Sequence, residues 1–157
     1  SVHKAVSALG LQSVSVDINE ETEGHIPDIV ADVLTWDYKN LEFDPDAIWA
    51  SPPCQTYSRR ASGKHRSKDD MLPKTPEGEV GRAILEKTVE IICYFYEKNP
   101  KLIFYMENPQ GLMRYEVDIL KRLPPHIQHT VSYCKYGFKY QKHTDIWTND
   151  MCRDPDA

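Results

Sequence analysis

The stretch WASPPCQTYS, residues 49–58, sets a cysteine directly behind two prolines at the end of a short apolar run. Proline has no amide proton to give to a sheet ladder, so Pro52 and Pro53 must stop the strand that DAIWAS, residues 46–51, otherwise predicts. In open α/β sheets, ligands sit just beyond the carboxyl ends of the strands. Cysteine is more often a small inert core residue than a reactive one, so Cys54 needs support from the rest of the chain.

Outward from that turn, helices and strands alternate. Residues 2–9 read as a helix ending at Gly10, and SVSVDI (13–18) and DIVADVL (28–34) as strands closed by polar turns. A loop over residues 59–78 has Pro73, Pro76 and Gly78 as breakers. Ala83, Ile84, Thr88, Ile91, Ile92 and Phe95 then recur at helical spacing up to Asn99 and Pro100. KLIFYM (101–106) is a buried strand, a helix occupies about 112–122, and HTVSYC (129–134) and TDIWT (144–148) read as two last strands. This order predicts an α/β fold, a mostly parallel sheet with helices on both faces.

At 157 residues the chain is expected to form one domain, residues 1–157. Its 40% apolar and 27% charged content is that of a soluble globular protein, and no apolar run reaches the roughly 18–20 residues that cross a bilayer. The start does not read as a signal peptide, which predicts a cytoplasmic location. Cys54, Cys93, Cys134 and Cys152 lack the close pairing of a zinc site and read as free thiols. His126 and His129 read as polar turn residues, with no partner nearby to complete a metal site.

Net charge is −5, unevenly distributed. Residues 1–47 hold ten acids against Lys4 and Lys39, or −8, which leaves +3 on the other 110 residues. There, SRRASGKHRSKDD (58–70) carries Arg59, Arg60, Lys64, Arg66 and Lys68 among small polar residues, a composition suited to a mobile loop beside phosphates. A solvated surface loop would look the same.

The strand-end positions are Asp17, Asp32, Ser51 to Cys54, and Glu107 with Asn108 and Pro109. The acids alone could be caps or turn formers. A thiol and a carboxylate at the ends of two different strands need another account. PPCQTYS (52–58) followed by FYMENP (104–109) resembles the DNA (cytosine-5) methyltransferase family, with its Pro-Cys-Gln-x-x-Ser turn and later Glu-Asn pair. The spelling is similar to that of compact, virus-borne members.

This resemblance implies a Rossmann-like fold dependent on S-adenosylmethionine, and transfer of its methyl group to C5 of a cytosine flipped out of DNA; an RNA substrate stays open. Cys54 would add to C6 as a thiolate, and Glu107 would hydrogen-bond N3 and the amino group. The substrate residues it implies are Pro53, Gln55, Ser58, Arg59, Arg60 and Asn108, joined by Lys142 and Thr144 where the family places a pair of arginines. Those for the cofactor are Asp17 on the ribose hydroxyls, Ile18 over the adenine, Asp32 and Val33 at the adenine edge, and Pro52. No metal is implied, and oligomeric state is not addressed.

The sequence departs from the family in three places. The Gly-rich turn after the first strand is expected immediately ahead of Ser1, so the chain reads as N-terminally incomplete. Only NDMCRDPDA follows IWT, with no separate target-recognition region. Residue 109 is proline where valine is common. Two alternatives to the enzyme remain: a non-catalytic domain of methyltransferase fold that binds nucleic acid or nucleotide, and, less well matched at Cys54, an amino-group methyltransferase.

Overall fold

A computed structural model describes residues 2–22, 24–61, 63–137 and 142–151. Cys152 and residues 138–141 of the basic segment lie outside the described residues. The chain divides into two compact units, Ser1–Leu41 and Glu42–Ala157.

The first unit holds helix α1 (Val2–Ala8) and two parallel strands, β1 (Val16–Asp17) and β2 (Ile29–Val30), with Val16 opposite Ile29 and Asp17 opposite Val30. Both strands are shorter than the sequence predicts, because short polar side chains take over the backbone groups on either side. Ahead of β1, the Ser15 amide and hydroxyl both donate to Asp28 Oδ2, at 2.7 and 2.8 Å. Beyond the strands, Asp17 Oδ1 accepts from the Asn19 amide at 2.9 Å and Asp32 Oδ1 from the Leu34 amide at 2.9 Å, each turning the chain.

The second unit is built on β3 (Ala47–Ala50), α2 (Pro76–Lys98), β4 (Ile103–Pro109), α3 (Val117–Leu120), β5 (Ile127–Ser132) and β6 (His143–Thr148). Its sheet runs β3-β4-β6-β5, parallel between β3 and β4 and antiparallel across the other two pairs. The sheet is therefore mixed where a largely parallel one was expected. The cause is chain length: residues 133–142, between β5 and β6, are fewer than the dozen or so that a parallel crossover requires.

α2 begins earlier than its apolar stripe suggests. Thr75 caps it, its hydroxyl accepting from the Gly78 amide at 3.1 Å, and Pro76 fills the first helical position, where no amide is needed. Leu85, Val89, Ile92 and Phe95 from α2 join Phe104, Met106, Trp147, Ile119 and Leu120 in the core. α3 lies over Gln128 and Trp147 and contacts α2, so both helices gather on one face of this sheet. On the other face Trp49 is 43% exposed and stacks on Tyr105.

The helix predicted over 112–122 is broken. A 3-10 turn at Met113–Tyr115 and the single α-turn of α3 flank Glu116, whose ψ of 54° leaves the helical region. Among the described residues no helix is long and apolar enough to cross a membrane, and no cluster of His, Cys, Asp and Glu could hold a metal ion. His129 lies within β5, not in a turn.

Candidate active site

Parallel pairing of β3 with β4 sets Ala50 opposite Met106, so the two chains leave this register toward the same end of the sheet. β3 runs on into Pro52 and Cys54; β4 continues through Glu107 and Asn108 to Pro109. The Glu-Asn-Pro motif thus forms the last three residues of the strand, where the sequence placed it just after. Antiparallel β6 enters at that end, Thr144 opposite Pro109 and Ile146 opposite Glu107.

The Cys54 turn is tied down on both sides. Buried Asn108 donates its side-chain amide to the Pro52 carbonyl at 2.7 Å. The Tyr57 amide closes the turn onto the Cys54 carbonyl at 3.0 Å, and the Leu112 amide donates to the Tyr57 carbonyl at 2.7 Å. Gly111 permits this approach, since a Cβ there would stand 2.4 Å from the Tyr57 oxygen. Cys54 itself is a free, half-buried cysteine. Pro52 is buried, Pro53 and Gln55 are exposed, and Ser58 is half-buried.

Alternation along β4 puts Glu107 and Pro109 on one face and Asn108 on the other. The register adds Thr144 and Ile146 to the Glu107 face. Glu107 Oε1 and Thr144 Oγ1 are both buried and find no hydrogen-bond partner among the described residues; neither does Asn108 Oδ1. Buried acceptors are nearly always satisfied, and an unsatisfied one costs about 1–3 kcal/mol, so two on one face at the mouth of a turn suit an incoming donor. Lys142 lies half-buried with its ammonium 5.3 Å from the centre of the Tyr133 ring.

The basic segment is a folded loop. Arg66 bridges to Pro73, the Lys74 amide donates to the His65 carbonyl at 2.8 Å, and the Ser67 amide to the Leu72 carbonyl at 2.9 Å. Arg59, Arg60, Lys64 and Lys68 are exposed, and Arg59 reaches Gln110 Oε1 at 3.4 Å. Arg66 is fully buried, which corrects its assignment to the phosphate-facing charge.

Over 154 residues the chain is 32% identical to "Probable DNA (cytosine-5)-methyltransferase" from frog virus 3 (isolate Goorha), covering 89% of this chain and 61% of the viral one. Over most of its length the chain is thus similar to a probable DNA (cytosine-5)-methyltransferase. The crystal structure of S. pombe Dnmt2 methyltransferase has the same fold, with a TM-score of 0.58 at 18% identity, over 94% of this chain and 46% of that one. The chain spans roughly half to three fifths of the length of these two proteins. No family model matches it.

The residues that the family resemblance assigns to the methyl donor fall mainly in the first unit. β1 and β2 run parallel, so Asp17 with Ile18 and Asp32 with Val33 follow neighbouring strands at their carboxyl ends. Ile18 is 62% exposed, available to cover a ring. Asp17 Oδ2 accepts only a long 3.5 Å contact from Thr22 among the described residues, which leaves capacity for a diol.

A buried network was not foreseen. Arg66 Nη1 donates to Glu116 Oε1 at 2.7 Å, and the Tyr57 hydroxyl donates to the same oxygen at 3.1 Å. The guanidinium stacks 3.7 Å from the centre of the Tyr57 ring. Burial first, then the Glu116 carboxylate, pushes the Tyr57 phenol far above its ordinary range, so it stays a donor. Removing one partner from such a buried pair costs about 3–5 kcal/mol. In the sequence, Arg66 is one cation of a run and Glu116 falls inside the helix expected over about 112–122; nothing local marks either.

Proposed function

We propose that this chain carries out methyl transfer to C5 of cytosine in DNA, with Cys54 as nucleophile. The tie between Asn108 and Pro52 carries the reading, because it fixes the cysteine turn to the strand whose end presents Glu107 Oε1, buried and without a donor among the described residues. A cytosine taken out of the duplex offers the missing donor in its amino group.

The Cys54 thiolate adds to C6, and the C5–C6 π electrons move into the ring. Glu107 holds N3 and the exocyclic amine, stabilising the charge that develops as the ring becomes electron-rich. Bound S-adenosylmethionine supplies an electrophilic methyl group, and Asp17, Ile18, Asp32 and Val33 would hold its adenosine portion. C5 would gain the methyl group as the methyl–sulfur bond of the donor breaks, leaving a neutral thioether; water then takes the C5 proton, and that C–H electron pair restores the double bond as the C6–S bond breaks and frees the thiolate. Thr144 and Lys142 supply a hydroxyl and a cation at the same end of the sheet. Arg59, Arg60, Lys64 and Lys68 would meet backbone phosphates.

The deciding experiment uses DNA containing 5-fluorocytosine with S-adenosylmethionine. Fluorine at C5 cannot leave as a proton, so the C6–S bond should persist as a covalent complex. We expect that complex with the parent chain and none with Cys54→Ser. Binding of cofactor and DNA with no complex would instead support a non-catalytic domain.

A further inference from the structure

We infer that Arg66 is a positioning residue for Cys54, acting through the turn that follows the sulfur. The Cys54–Tyr57 turn has one backbone hydrogen bond of its own, from the Tyr57 amide to the Cys54 carbonyl, so the place of the sulfur depends on how Thr56 and Tyr57 are held. Arg66 holds both. Its Nη2 donates to Thr56 Oγ1 at 3.5 Å, and its plane covers the Tyr57 ring at 3.7 Å.

The guanidinium is itself fixed by three separate parts of the chain. Nη1 donates to Glu116 Oε1 at 2.7 Å and to the Met71 carbonyl at 3.4 Å, and Nη2 donates to the Gly78 carbonyl at 3.3 Å. Arg82 reinforces the pair, with Nε 3.9 Å from Glu116 Oε2. Arg66 thus braces the back of the nucleophile turn against the loop tip, the start of α2 and the break before α3. Lysine could keep the charge but not the planar fork that these contacts use.

A buried ion pair is a poor device for stability alone, since apolar residues of like volume often serve as well or better. Its contacts converge on the two residues that set the turn. The catalytic part of this inference rests on the reading of Cys54 as nucleophile; the mechanical part does not.

The test replaces both charges together, Arg66→Met with Glu116→Leu, which avoids stranding one charge in the interior. We expect a folded chain with parental DNA affinity, amide exchange at Tyr57 and Leu112 at least tenfold faster, and 5-fluorocytosine adduct formation slowed roughly 10–100-fold. Arg66→Lys should move the same readouts in the same direction by less. A folded double variant with parental exchange at both amides and a parental adduct rate would overturn the inference. Should the double variant fail to fold, Arg66→Lys decides, because it keeps the charge and loses the planar fork on Thr56 and Tyr57. Faster exchange of its residue-57 amide supports the brace; unchanged exchange refutes it. If the parent itself forms no adduct, the proposed reaction fails, and the exchange readout still decides the role of Arg66.

Discussion

The side-chain amide of Asn108 donates to the carbonyl of Pro52 at 2.7 Å, and both residues are buried. Asn108→Asp keeps the shape and loses the donor, setting a carboxylate against a carbonyl. It should cost about 1–3 kcal/mol in denaturant unfolding and slow adduct formation at Cys54 well beyond any change in DNA affinity. A variant of parental stability and rate would show that the turn is held by other means.

Gly111→Ala brings a methyl group to within 2.4 Å of a backbone oxygen that has no side-chain freedom to yield. Either the Leu112–Tyr57 hydrogen bond or the Cys54 turn must shift. We expect about 2 kcal/mol or more of destabilisation, of the order seen for overpacked sites, and faster amide exchange at Leu112. Parental values of both would exclude the clash.

Glu107→Gln leaves the packing intact and replaces a half-buried carboxylate whose buried Oε1 has no partner among the described residues. Melting temperature should hold or rise while the rate of adduct formation falls roughly 100-fold, because the neutral amide no longer stabilises the charged ring. Thermal unfolding beside single-turnover kinetics separates the two effects. A parental rate would remove Glu107 from the chemistry.

Much of the Cys54 turn was legible in the sequence, because Pro-Pro-Cys and Glu-Asn are contiguous strings whose conformation is set by the residues themselves. The stripe of α2 was legible too. Its start was misread because Pro76 and Gly78 look like breakers, although Thr75-Pro76 is a capping signal once the helix is known to extend that far. The position of β6 between β4 and β5 was not visible, since pairing between distant strands leaves no local mark. Arg66 illustrates the same limit: its partner Glu116 lies 50 residues away, and local composition describes it only as one more cation.

That burial has a consequence in solution. Each exposed cation contacting a phosphate contributes about 0.9 to the slope of log affinity against log salt. Arg60→Gln and Lys68→Gln should each flatten the DNA-binding slope by up to that amount, while the double replacement at Arg66 and Glu116 should leave it unchanged. Filter binding across a salt series reads the difference. A flatter slope for the double variant would put Arg66 on the DNA.

The first unit carries a pH dependence of its own. The Ser15 amide foremost, then the Ser15 hydroxyl, hold the Asp28 carboxyl below its usual 3.8. A depressed carboxyl contributes stability above its unfolded pKa and loses it as pH falls through the lower, folded value. The β1–β2 pairing should therefore loosen below about pH 4, an acid limb that Ser15→Ala should reduce. Amide NMR of Ser15 would follow it, and a midpoint at or above 3.8 would contradict the assignment.

Three ties on the Cys54 turn reach far along the chain: Pro52 to Asn108, Tyr57 to Leu112 and Tyr57 to Glu116. Contacts so far apart in sequence close late during folding, because the intervening loop entropy must be overcome first. A nascent polypeptide emerged only as far as α2 would hold the sulfur and Arg66 but not Asn108, Leu112 or the Glu116 that anchors Arg66. Reactivity at Cys54 should thus arrive with completion of the second unit, protecting the half-made protein from misdirected alkylation.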